Sequence, residues 1–460
     1  MLKKEDINNY GIVYTPKILV NKILNLIPQS FFSNKNMRWL DIGAGCGAFS
    51  INLYNRLLND LSNNFNNIEE TKNHIIKNMI FMVEIYPEHI KILEDTFGKK
   101  ANIINKDFLT INKYEYDNFD FIIGNPPFNI HGSIKTPTNN NQKKTDDGKA
   151  IYVDFIKKSL DLLHEGGYLN LIIPSLWLKP DKSGLYNILT NLKIHKLICL
   201  SGSETQKEFN YNAQTPTCYF LIENIENIEN IENIENKNAI LIYDKLENNY
   251  INYKLNNNFP IPTQGINIIN KLLFYVNKYN YLQVNKTSTI SKTAKISNIK
   301  DESFNYINIK TCILEDKICP KLIYNYSNNE LSFYKIPKLI LAHKMYGFSY
   351  FDISGNYGIS TRDNYIISNK KYNINELTQI HNFLSTKFAL FIFSTTNYRM
   401  RLLEKYAFEF IPDITKINNF PNLINLDREN RDKKINDFFK FSQKEINYIE
   451  KYSKNYIFFT

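Results

Sequence analysis

Two hydrophobic periodicities alternate over residues 38–244, and this alternation restricts the fold more than any other feature of the sequence. Short apolar runs rich in β-branched and aromatic residues recur there: RWLDIG, MIFMVEI, ANIINKDF, FDFIIGNPPF, YLNLIIP, HKLICLSG and TCYFLIE. Stretches with helical spacing of apolar residues lie between several of them: AFSINLYNRLLNDL, PEHIKILEDTF and YVDFIKKSLDLLHE. Alternating strands and helices predict an α/β domain with a mostly parallel sheet and helices on both faces. Such sheets bind ligands beyond the carboxyl ends of their strands.

The sheet pattern stops near residues 248–262, and the remaining chain is basic, aromatic-rich and less regular. We therefore predict two domains, 1–254 and 255–460. The net charge of +10 divides unevenly between them. The first domain has 28 Lys and Arg against 29 Asp and Glu, whereas the second has 28 against 17. All of the excess positive charge thus lies in the second domain, which is typical of a domain that faces a polyanion.

Four local patterns predict details of the backbone. The polar segment 131–149 predicts a mobile loop, and five Ile-Glu-Asn copies at 222–236 predict a lengthened hairpin between TCYFLIE and AILIYDKL. Gly166-Gly167 predicts the C-cap of a helix over 151–165. The stretch from Ser442 to Glu445 has the form of a capping box and predicts the start of a helical tail.

Composition argues against several classes of protein. The five cysteines are scattered without a CxxC pair, and the seven histidines never cluster at ligand spacing, so neither a disulfide framework nor a metal site is expected. The first residues, MLKKEDINNYGIVY, lack the apolar core of a secretory signal. No run reaches the roughly 18 apolar residues of a membrane span. These features predict a soluble cytoplasmic protein.

A glycine-rich turn lies between the first strand and the first long helix, in WLDIGAGCGAFS over residues 39–50. Its glycines, Gly43, Gly45 and Gly47, alternate strictly and so differ from the G-x-G-x-x-G spacing of dinucleotide folds. Glycines allow a ligand to approach the backbone, and the following helix offers free N–H groups. On its own, however, the pattern is equally compatible with a tight structural turn.

Acidic residues follow the next two strands. Glu84 lies 43 residues after Asp41, at a strand end where a carboxylate can accept hydrogen bonds from both hydroxyls of a ribose. Asp107 and Phe108 end the following strand, and they offer an acceptor for an adenine amino group beside a ring for its face. Each residue alone is more commonly a surface acid or a core ring. Their placement at successive strand ends instead indicates a nucleoside site.

The tetrapeptide Asn125-Pro126-Pro127-Phe128 ends the fourth strand. The prolines fix φ and remove two N–H donors, so the carbonyls of this corner point outward as acceptors. The side-chain oxygen of Asn125 is another acceptor, and Phe128 supplies a stacking face. Two acceptors beside an aromatic ring fit a planar group with an exocyclic amine, whereas the alternative is a simple polyproline turn.

In this order, the motifs resemble the gamma class of N6-adenine-specific DNA methyltransferases, the TaqI-like family. Three further stretches share the resemblance: YGIVYTPKILVNKIL (10–24), KEFNYNAQTPTCYFLI (207–222) and PKLILAHKMYGFSYFDISGNYGISTRDNYIIS (337–368). Two residues depart from the family pattern. Phe128 stands where tyrosine is commoner and keeps the stacking face, and Asp41 stands where many relatives have glutamate.

The resemblance implies a Rossmann-like S-adenosylmethionine-dependent methyltransferase sheet followed by an α+β target recognition domain. It implies methyl transfer to N6 of an adenine flipped out of double-stranded DNA, within a restriction–modification system. Asn125, Pro126 and Phe128 would be catalytic, with Phe128 and Phe209 stacking on the target base. The implied cofactor-binding residues are Tyr14, Thr15, Pro16, Asp41, Gly43, Gly45, Glu84, Asp107, Phe108 and Asn125.

The same resemblance implies the partners. They are duplex DNA and S-adenosylmethionine, whereas the existence of a separate cognate restriction endonuclease is left open by the sequence. The chain is expected to act as a monomer without a metal. In the basic domain, we expect DNA contacts from four cations: Lys344, Arg362, Arg399 and Arg401. The alternative for each of these residues is that it is an ordinary surface charge paired with a nearby acidic residue and does not contact DNA.

Other substrates and classes compete with this interpretation. A protein glutamine amide and an RNA adenine also present planar amino groups, but protein-glutamine methyltransferases lack the basic second domain. Cytosine-N4 enzymes usually have serine at the first motif position, and cytosine-C5 chemistry needs a Pro-Cys dipeptide that does not occur here. The length predicts no additional nuclease domain, and the intact motifs oppose a non-catalytic binding protein.

Overall fold

The computed structural model describes residues 12–116, 118–130, 149–226, 239–256, 258–288, 294–315, 319–343, 349–362, 364–399 and 403–453. The chain divides into two compact units. Unit 1 comprises Met1–Tyr243 with Tyr250–Asn258, and unit 2 comprises Asp244–Asn249 with Phe259–Thr460. No described helix is long and apolar enough to cross a membrane.

Strands and helices alternate along unit 1. Its strands are β1 (Trp39–Ile42), β2 (Ile80–Glu84), β3 (Asn102–Asn105), β4 (Phe119–Gly124), β5 (Asn129–Ile130), β6 (Lys149–Ala150), β7 (Leu163–Pro174), β8 (Leu192–Leu200), β9 (Thr217–Glu226), β10 (Ala239–Asp244) and β11 (Asn249–Lys254). Its α-helices are α1 (Lys17–Leu24), α2 (Ala48–Leu61), α3 (Ile68–His74), α4 (Pro87–Phe97), α5 (Tyr152–Leu162), α6 (Leu185–Thr190) and α7 (Gly202–Glu208). Short 3-10 or π turns lie at Gln29–Phe31, Ile75–Met79, Phe108–Thr110 and Ser175–Leu178.

The described residues of unit 1 form one nine-stranded sheet in the order β11-β10-β8-β9-β7-β4-β1-β2-β3. Strands β7, β4, β1, β2 and β3 run parallel to one another, and β9 is antiparallel to both β7 and β8. The predicted α/β fold with a mostly parallel sheet is confirmed. Chain order reverses between β1 and β4, and parallel α/β sheets bind their ligands at the carboxyl edge beside such a reversal.

Burial explains why most residues of the central strands are apolar. All four residues of β1 are buried, as are five of the six in β4, because covered parallel strands need apolar side chains on both faces. Aromatic rings continue this core across strands. Trp39 stacks between Phe32 and Phe121, and Phe121 also stacks on Tyr168, which fixes the β1–β4–β7 region that supports the candidate site.

The predicted C-cap at Gly166-Gly167 is wrong. Helix α5 ends at Leu162, and the two glycines lie inside β7. There the strand bulges, since Phe119 pairs with Leu163 while Phe121 pairs with Tyr168. A Cβ on Gly167 would meet the Phe119 carbonyl oxygen at 3.1 Å, so glycine is needed for the close approach of two strands.

The predicted hairpin between TCYFLIE and AILIYDKL is also wrong. Strand β10 pairs in parallel with β8, for example Leu241 with Lys196, and β9 lies between β7 and β8. Both edges of β9 are therefore already used, and the following strand adds to the outer edge of β8. Of the Ile-Glu-Asn repeat, only residues 222–226 are described, and the loop prediction for 131–149 falls largely on 131–148, outside the described residues.

Unit 2 combines small sheets with helices, as the α+β prediction requires. Its strands are β12 (Asn285–Lys286), β13 (Ile296–Ser297), β14 (Tyr306–Glu315), β15 (Cys319–Ser327), β16 (Lys338–Ala342), β17 (Tyr350–Asp352), β18 (Gly358–Ile359) and β19 (Asn364–Ser368). The described residues form two four-stranded sheets, β12-β19-β16-β17 and β13-β15-β14-β18. Its helices are α8 (Ile266–Tyr279), α9 (Ile374–Leu384), α10 (Lys387–Ser394), α11 (Arg428–Phe439) and α12 (Gln443–Ser453), with 3-10 turns at Lys405–Phe410 and Ile414–Lys416.

The predicted capping box at the start of α12 is confirmed. The Glu445 carboxylate accepts from the Ser442 backbone N–H at 2.8 Å, and the Ser442 hydroxyl accepts from the Glu445 N–H at 3.3 Å.

Candidate active site

The carboxyl ends of β4, β1, β2 and β3 lie side by side, and each is followed by a segment that the sequence analysis singled out. The Asn-Pro-Pro-Phe corner follows β4, the glycine turn follows β1, Glu84 ends β2 and Asp107 comes two residues after β3. The fold thus brings the predicted motifs of unit 1 to one edge, although they span more than 80 residues of sequence.

The glycine turn is held by the strand beside it and faces open space. Backbone N–H groups of Gly43 and Ala44 donate to the Val83 carbonyl at 3.1 and 2.9 Å. Gly43 and Gly45 have φ angles of +97° and +55°, which favour glycine. A Cβ on either would meet no described atom within 4 Å, so packing does not fill the space above the turn. The turn therefore leaves room for a ligand at this edge.

Glu84 is buried and already orders this edge. Its carboxylate accepts from the backbone N–H groups of Gly45 at 2.7 Å, Ile85 at 2.9 Å and Tyr86 at 2.8 Å. Burial opposes ionisation, but the interaction with His89 and these hydrogen bonds outweigh it and lower the pKa of Glu84 below its ordinary value. A lowered pKa favours the ionised form of Glu84, and a carboxylate is a good acceptor for ribose hydroxyls.

Asp41 lies deeper, under the reversal point between β1 and β4. Its Oδ2 accepts from the Ser50 hydroxyl at 2.7 Å, whereas Oδ1 is buried without a hydrogen-bond partner among the described residues. Burial raises the pKa of Asp41 to about 7. A Cβ on Gly124 would lie 3.1 Å from Oδ1, so a side chain at that position of β4 would press against this buried oxygen. An unpartnered acceptor at this depth suits a ligand that carries a hydrogen-bond donor.

Asp107 and Phe108, which follow β3, differ in whether their side chains are available to a ligand. Asp107 caps the short 3-10 turn, accepting from the Leu109 N–H at 3.0 Å. The Phe108 ring is 3% exposed and stacks on Phe155 in the core, so it does not offer the predicted face to an adenine. Ile85, which sequence reasoning missed, is 45% exposed directly after Glu84 and offers an apolar surface there. Its position after the acidic strand end was the available signal.

Asn125 is held by one end of its amide only. Its Nδ2 donates to the Thr15 hydroxyl at 3.0 Å and to the Val13 carbonyl at 3.4 Å. Its Oδ1 is buried and has no hydrogen-bond partner in the part of the chain that the structure describes. Pro126 is buried and Phe128 half-buried beside it. The corner thus presents an oriented side-chain acceptor next to a donor-free backbone.

The N-terminal motif contacts two parts of the site. Thr15 is buried and holds Asn125, and Pro16 precedes α1 as its N-cap residue. The half-exposed Tyr14 lies 3.0 Å through its hydroxyl from Nε2 of His89, a residue that sequence reasoning did not single out. Burial, followed by the influence of Cys46, raises the pKa of Tyr14 to about 12.

Phe209, which is predicted to stack on a target base, lies in the core of unit 1 in this structure. Phe209 is fully buried and belongs to the core cluster that includes Leu19 and Val20 of α1. Its N–H donates to the Thr205 carbonyl at 2.9 Å, so it continues the last turn of α7 and faces inward. Tyr211, two residues later, is 70% exposed with φ of +68°. Of these two aromatic residues, Tyr211 is the one with an accessible face.

The predicted DNA-contacting cations lie in unit 2. Arg362 and Arg399 are exposed and make no ion pair with described residues, whereas Lys344 and Arg401 lie outside the described residues. Across the described ranges, no group of three or more His, Cys, Asp or Glu side chains could hold a metal ion.

Residues 21–205 match the model of the Eco57I restriction-modification methylase family. An uncharacterized adenine-specific methylase of Mycoplasma pneumoniae is 32% identical over 123 residues, covering 25% of this chain and 25% of that protein. The type II methyltransferase M.BstVI of Geobacillus stearothermophilus is 30% identical over 194 residues, covering 37% and 35%. The chain spans between a quarter and about half of the length of the curated relatives it matches.

Among solved structures, the M protein of the type I restriction enzyme EcoKI superposes with a TM-score of 0.37 and 17% identity, over 51% of this chain and 48% of that one.

Proposed function

We propose that this protein is an S-adenosylmethionine-dependent DNA methyltransferase that methylates the N6 amino group of adenine, as a modification enzyme of a restriction–modification system. The observation that carries the proposal is the half-satisfied amide of Asn125. Its nitrogen is fixed by Thr15 and Val13, and its buried oxygen is left as an acceptor without a partner among the described residues. Such a group binds a donor amine rather than a carbonyl or a phosphate.

The chemistry follows from what adenine needs. The N6 lone pair is delocalised into the purine ring, so the amine is a weak nucleophile. The Asn125 side-chain oxygen and the Pro126 carbonyl accept its two N–H bonds and draw the nitrogen towards a geometry in which the lone pair is available. Phe128 stacks on the ring and fixes its plane. Positioning and polarisation are the main contributions, and no covalent nucleophile is required.

The residues present fit the cofactor. Glu84 supplies an ionised acceptor at the end of β2, Asp41 a buried unpartnered oxygen, and the glycine turn an open backbone surface. At the same edge, Asp107 supplies a carboxylate and the exposed Ile85 an apolar surface, which suit the polar and flat parts of a nucleoside. When bound, S-adenosylmethionine supplies an electrophilic methyl group on its sulfonium. Glu84, Asp41 and the turn would hold the nucleoside and amino acid ends of the cofactor.

The order of motifs supports the finer assignment to the TaqI-like gamma class. The N-terminal segment and the glycine turn precede the Asn-Pro-Pro-Phe corner, and the basic residues follow it. In this class the target base leaves the duplex, and a second aromatic residue stacks on it. We assign that role to Tyr211 rather than Phe209, because Phe209 has no exposed surface. Duplex DNA would be bound by unit 2, where the excess positive charge lies.

Single-molecule sequencing of genomic DNA from a methylation-free bacterial host tests the proposal. We expect N6-methyladenine at one short sequence motif when the protein is expressed, and no modification with the Asn125→Ala variant as control. Methylation confined to RNA or to a protein glutamine would assign the alternative planar amino groups instead. Absence of methyl transfer to all three by purified protein that binds S-adenosylhomocysteine would refute the proposed function.

A further inference from the structure

The side chain of His89 lies between two parts of the site that are far apart in sequence. His89 is in the first turn of α4, is 2% exposed, and packs edge-on against the Tyr86 ring at 5.0 Å. Its Nε2 lies 3.0 Å from the Tyr14 hydroxyl, and its Nδ1 lies 3.6 Å from Oε2 of Glu84. A buried imidazole with a polar group at each nitrogen usually has a defined tautomer and orientation.

The two neighbours fix that tautomer. The Tyr14 hydroxyl can donate to Nε2 or accept from it, and the Glu84 carboxylate at the other nitrogen favours donation to Nε2, because a carboxylate only accepts. Nδ1 then carries the ring proton, which faces the Glu84 carboxylate. The opposite arrangement would place the Nδ1 lone pair against a carboxylate oxygen, which is repulsive. The 3.6 Å separation is longer than a hydrogen bond, and Nδ1 has no other partner among the described residues, so a small movement of Glu84 would complete the contact.

We propose that Tyr14, His89 and Glu84 form a positioning relay that couples the cofactor-binding carboxylate to the segment that holds Asn125. Tyr14 and Thr15 are consecutive, so the residue that contacts His89 is joined directly to the one that holds the Asn125 amide. A ligand that orients Glu84 would tighten the His89 contact and order residues 13–16. His89 is thus a positioning residue that acts through its neighbours, and its role rests on the proposed function.

A thermodynamic cycle with S-adenosylhomocysteine, measured by calorimetry, tests the relay. We expect Tyr14→Phe and His89→Leu each to weaken binding about five- to tenfold, the cost of one hydrogen bond. In the His89→Leu background, Tyr14→Phe should add less than about a twofold further loss, since the relay is already broken. In the His89→Gln background, the amide oxygen can still accept from Tyr14, so Tyr14→Phe should again weaken binding. Thr96→Ala, on the exposed side of the same helix, is the matched control.

Hydrogen–deuterium exchange gives a second measurement that does not depend on affinity. Saturating S-adenosylhomocysteine should slow amide exchange in residues 13–24 of the wild-type and His89→Gln proteins, but not of His89→Leu. Melting of each variant without ligand verifies that it is folded.

The outcomes separate the relay from the function on which it rests. If the wild-type protein does not bind S-adenosylhomocysteine, the proposed function fails and the relay with it. The wild type could bind while Tyr14→Phe weakens S-adenosylhomocysteine binding by the same factor in His89→Leu as in the wild type. Tyr14 would then act on the ligand directly, and the relay alone would be refuted. Equal protection of residues 13–24 in all variants would also refute it.

Discussion

At the scale of single residues, the site is defined by polar atoms that the fold buries and leaves without partners. Buried polar groups are normally hydrogen-bonded, because an unsatisfied one costs about 1–3 kcal/mol. Asn125 Oδ1, Asp41 Oδ1 and His89 Nδ1 are such exceptions among the described residues, and all three lie at or near the carboxyl edge of the same parallel strands. A ligand at this edge would satisfy the Asn125 oxygen, whereas His89 Nδ1 faces the Glu84 carboxylate.

Asn125→Ala should reduce methyl transfer at least about 100-fold, the usual cost of removing one preorganised polar contact to a transition state. S-adenosylhomocysteine affinity should change only a few-fold, because Glu84 and Asp41 remain. Tritiated-methyl transfer to unmethylated genomic DNA, together with calorimetry, measures both. Asn73→Ala, an exposed asparagine on α3, is the control. Wild-type transfer rates in Asn125→Ala would contradict the catalytic assignment.

Asp41 should make the ligand-free protein less stable as pH rises. Burial raises its pKa from an ordinary 3.8 to about 7, so the folded chain binds more protons than the unfolded chain between those values. Stability from this group therefore falls as pH rises through that interval, by at most a few kcal/mol at about 1.4 kcal/mol per pKa unit. Asp41→Asn should melt higher than the wild type at pH 8, with a smaller difference at pH 5. Asp161→Asn, at an exposed site, should show no such trend, and equal pH profiles for Asp41→Asn and wild type would refute the prediction.

At the scale of elements, sequence periodicity located the strands and helices well but could not order them. Residues 48–61 and 87–97 are helical as predicted, since their apolar faces and flanking glycines are local signals. The hairpin after β9 was predicted wrongly because strand order depends on which sheet edges are already occupied, which is not a local property. The base-stacking role of Phe209 stays a prediction, because a resemblance aligns motifs but does not say which of two nearby aromatic residues faces inward.

Gly167 illustrates a constraint that appears only when two strands are placed side by side. Gly167→Ala should destabilise unit 1 by about 1–3 kcal/mol, because its Cβ would lie 3.1 Å from the backbone carbonyl oxygens of His164 and Phe119. Gly166→Ala is a useful comparison, since a Cβ there meets open space and the cost is limited to a φ of +80°. Urea denaturation of both variants measures the difference. A smaller loss for Gly167→Ala than for Gly166→Ala would contradict the close approach at the bulge.

At the scale of the whole molecule, the uneven distribution of charge suggests that cofactor binding and DNA binding belong to different parts of the chain. Residues 1–254 are nearly neutral, as suits a site for a small cofactor, whereas residues 255–460 carry a net +11. Residues 13–125 supply the polar groups of the candidate site, and all of them belong to unit 1. Cofactor binding should therefore depend on unit 1, and affinity for a polyanion on unit 2.

DNA affinity should consequently fall steeply with salt, and through unit 2. Each phosphate contact contributes about −0.9 to the slope of log affinity against log salt concentration, so several contacts give a slope of several units. Arg362→Ala and Arg399→Ala should each reduce the slope by roughly one unit if the side chain contacts phosphate, and relax sequence preference instead if it contacts a base. Fluorescence anisotropy of a labelled duplex, measured across a salt series, gives these slopes.

A chain truncated after residue 258 retains every segment of unit 1, and calorimetry with S-adenosylhomocysteine establishes whether that unit is folded. If the folded truncated protein binds duplex as tightly as the full chain and with the same slope, unit 2 is not the DNA-binding part. We expect the truncated protein to bind S-adenosylhomocysteine but to lose both its affinity for duplex DNA and the salt dependence of that affinity. The reason is that the excess cations, which would replace condensed counterions on DNA, lie after residue 258.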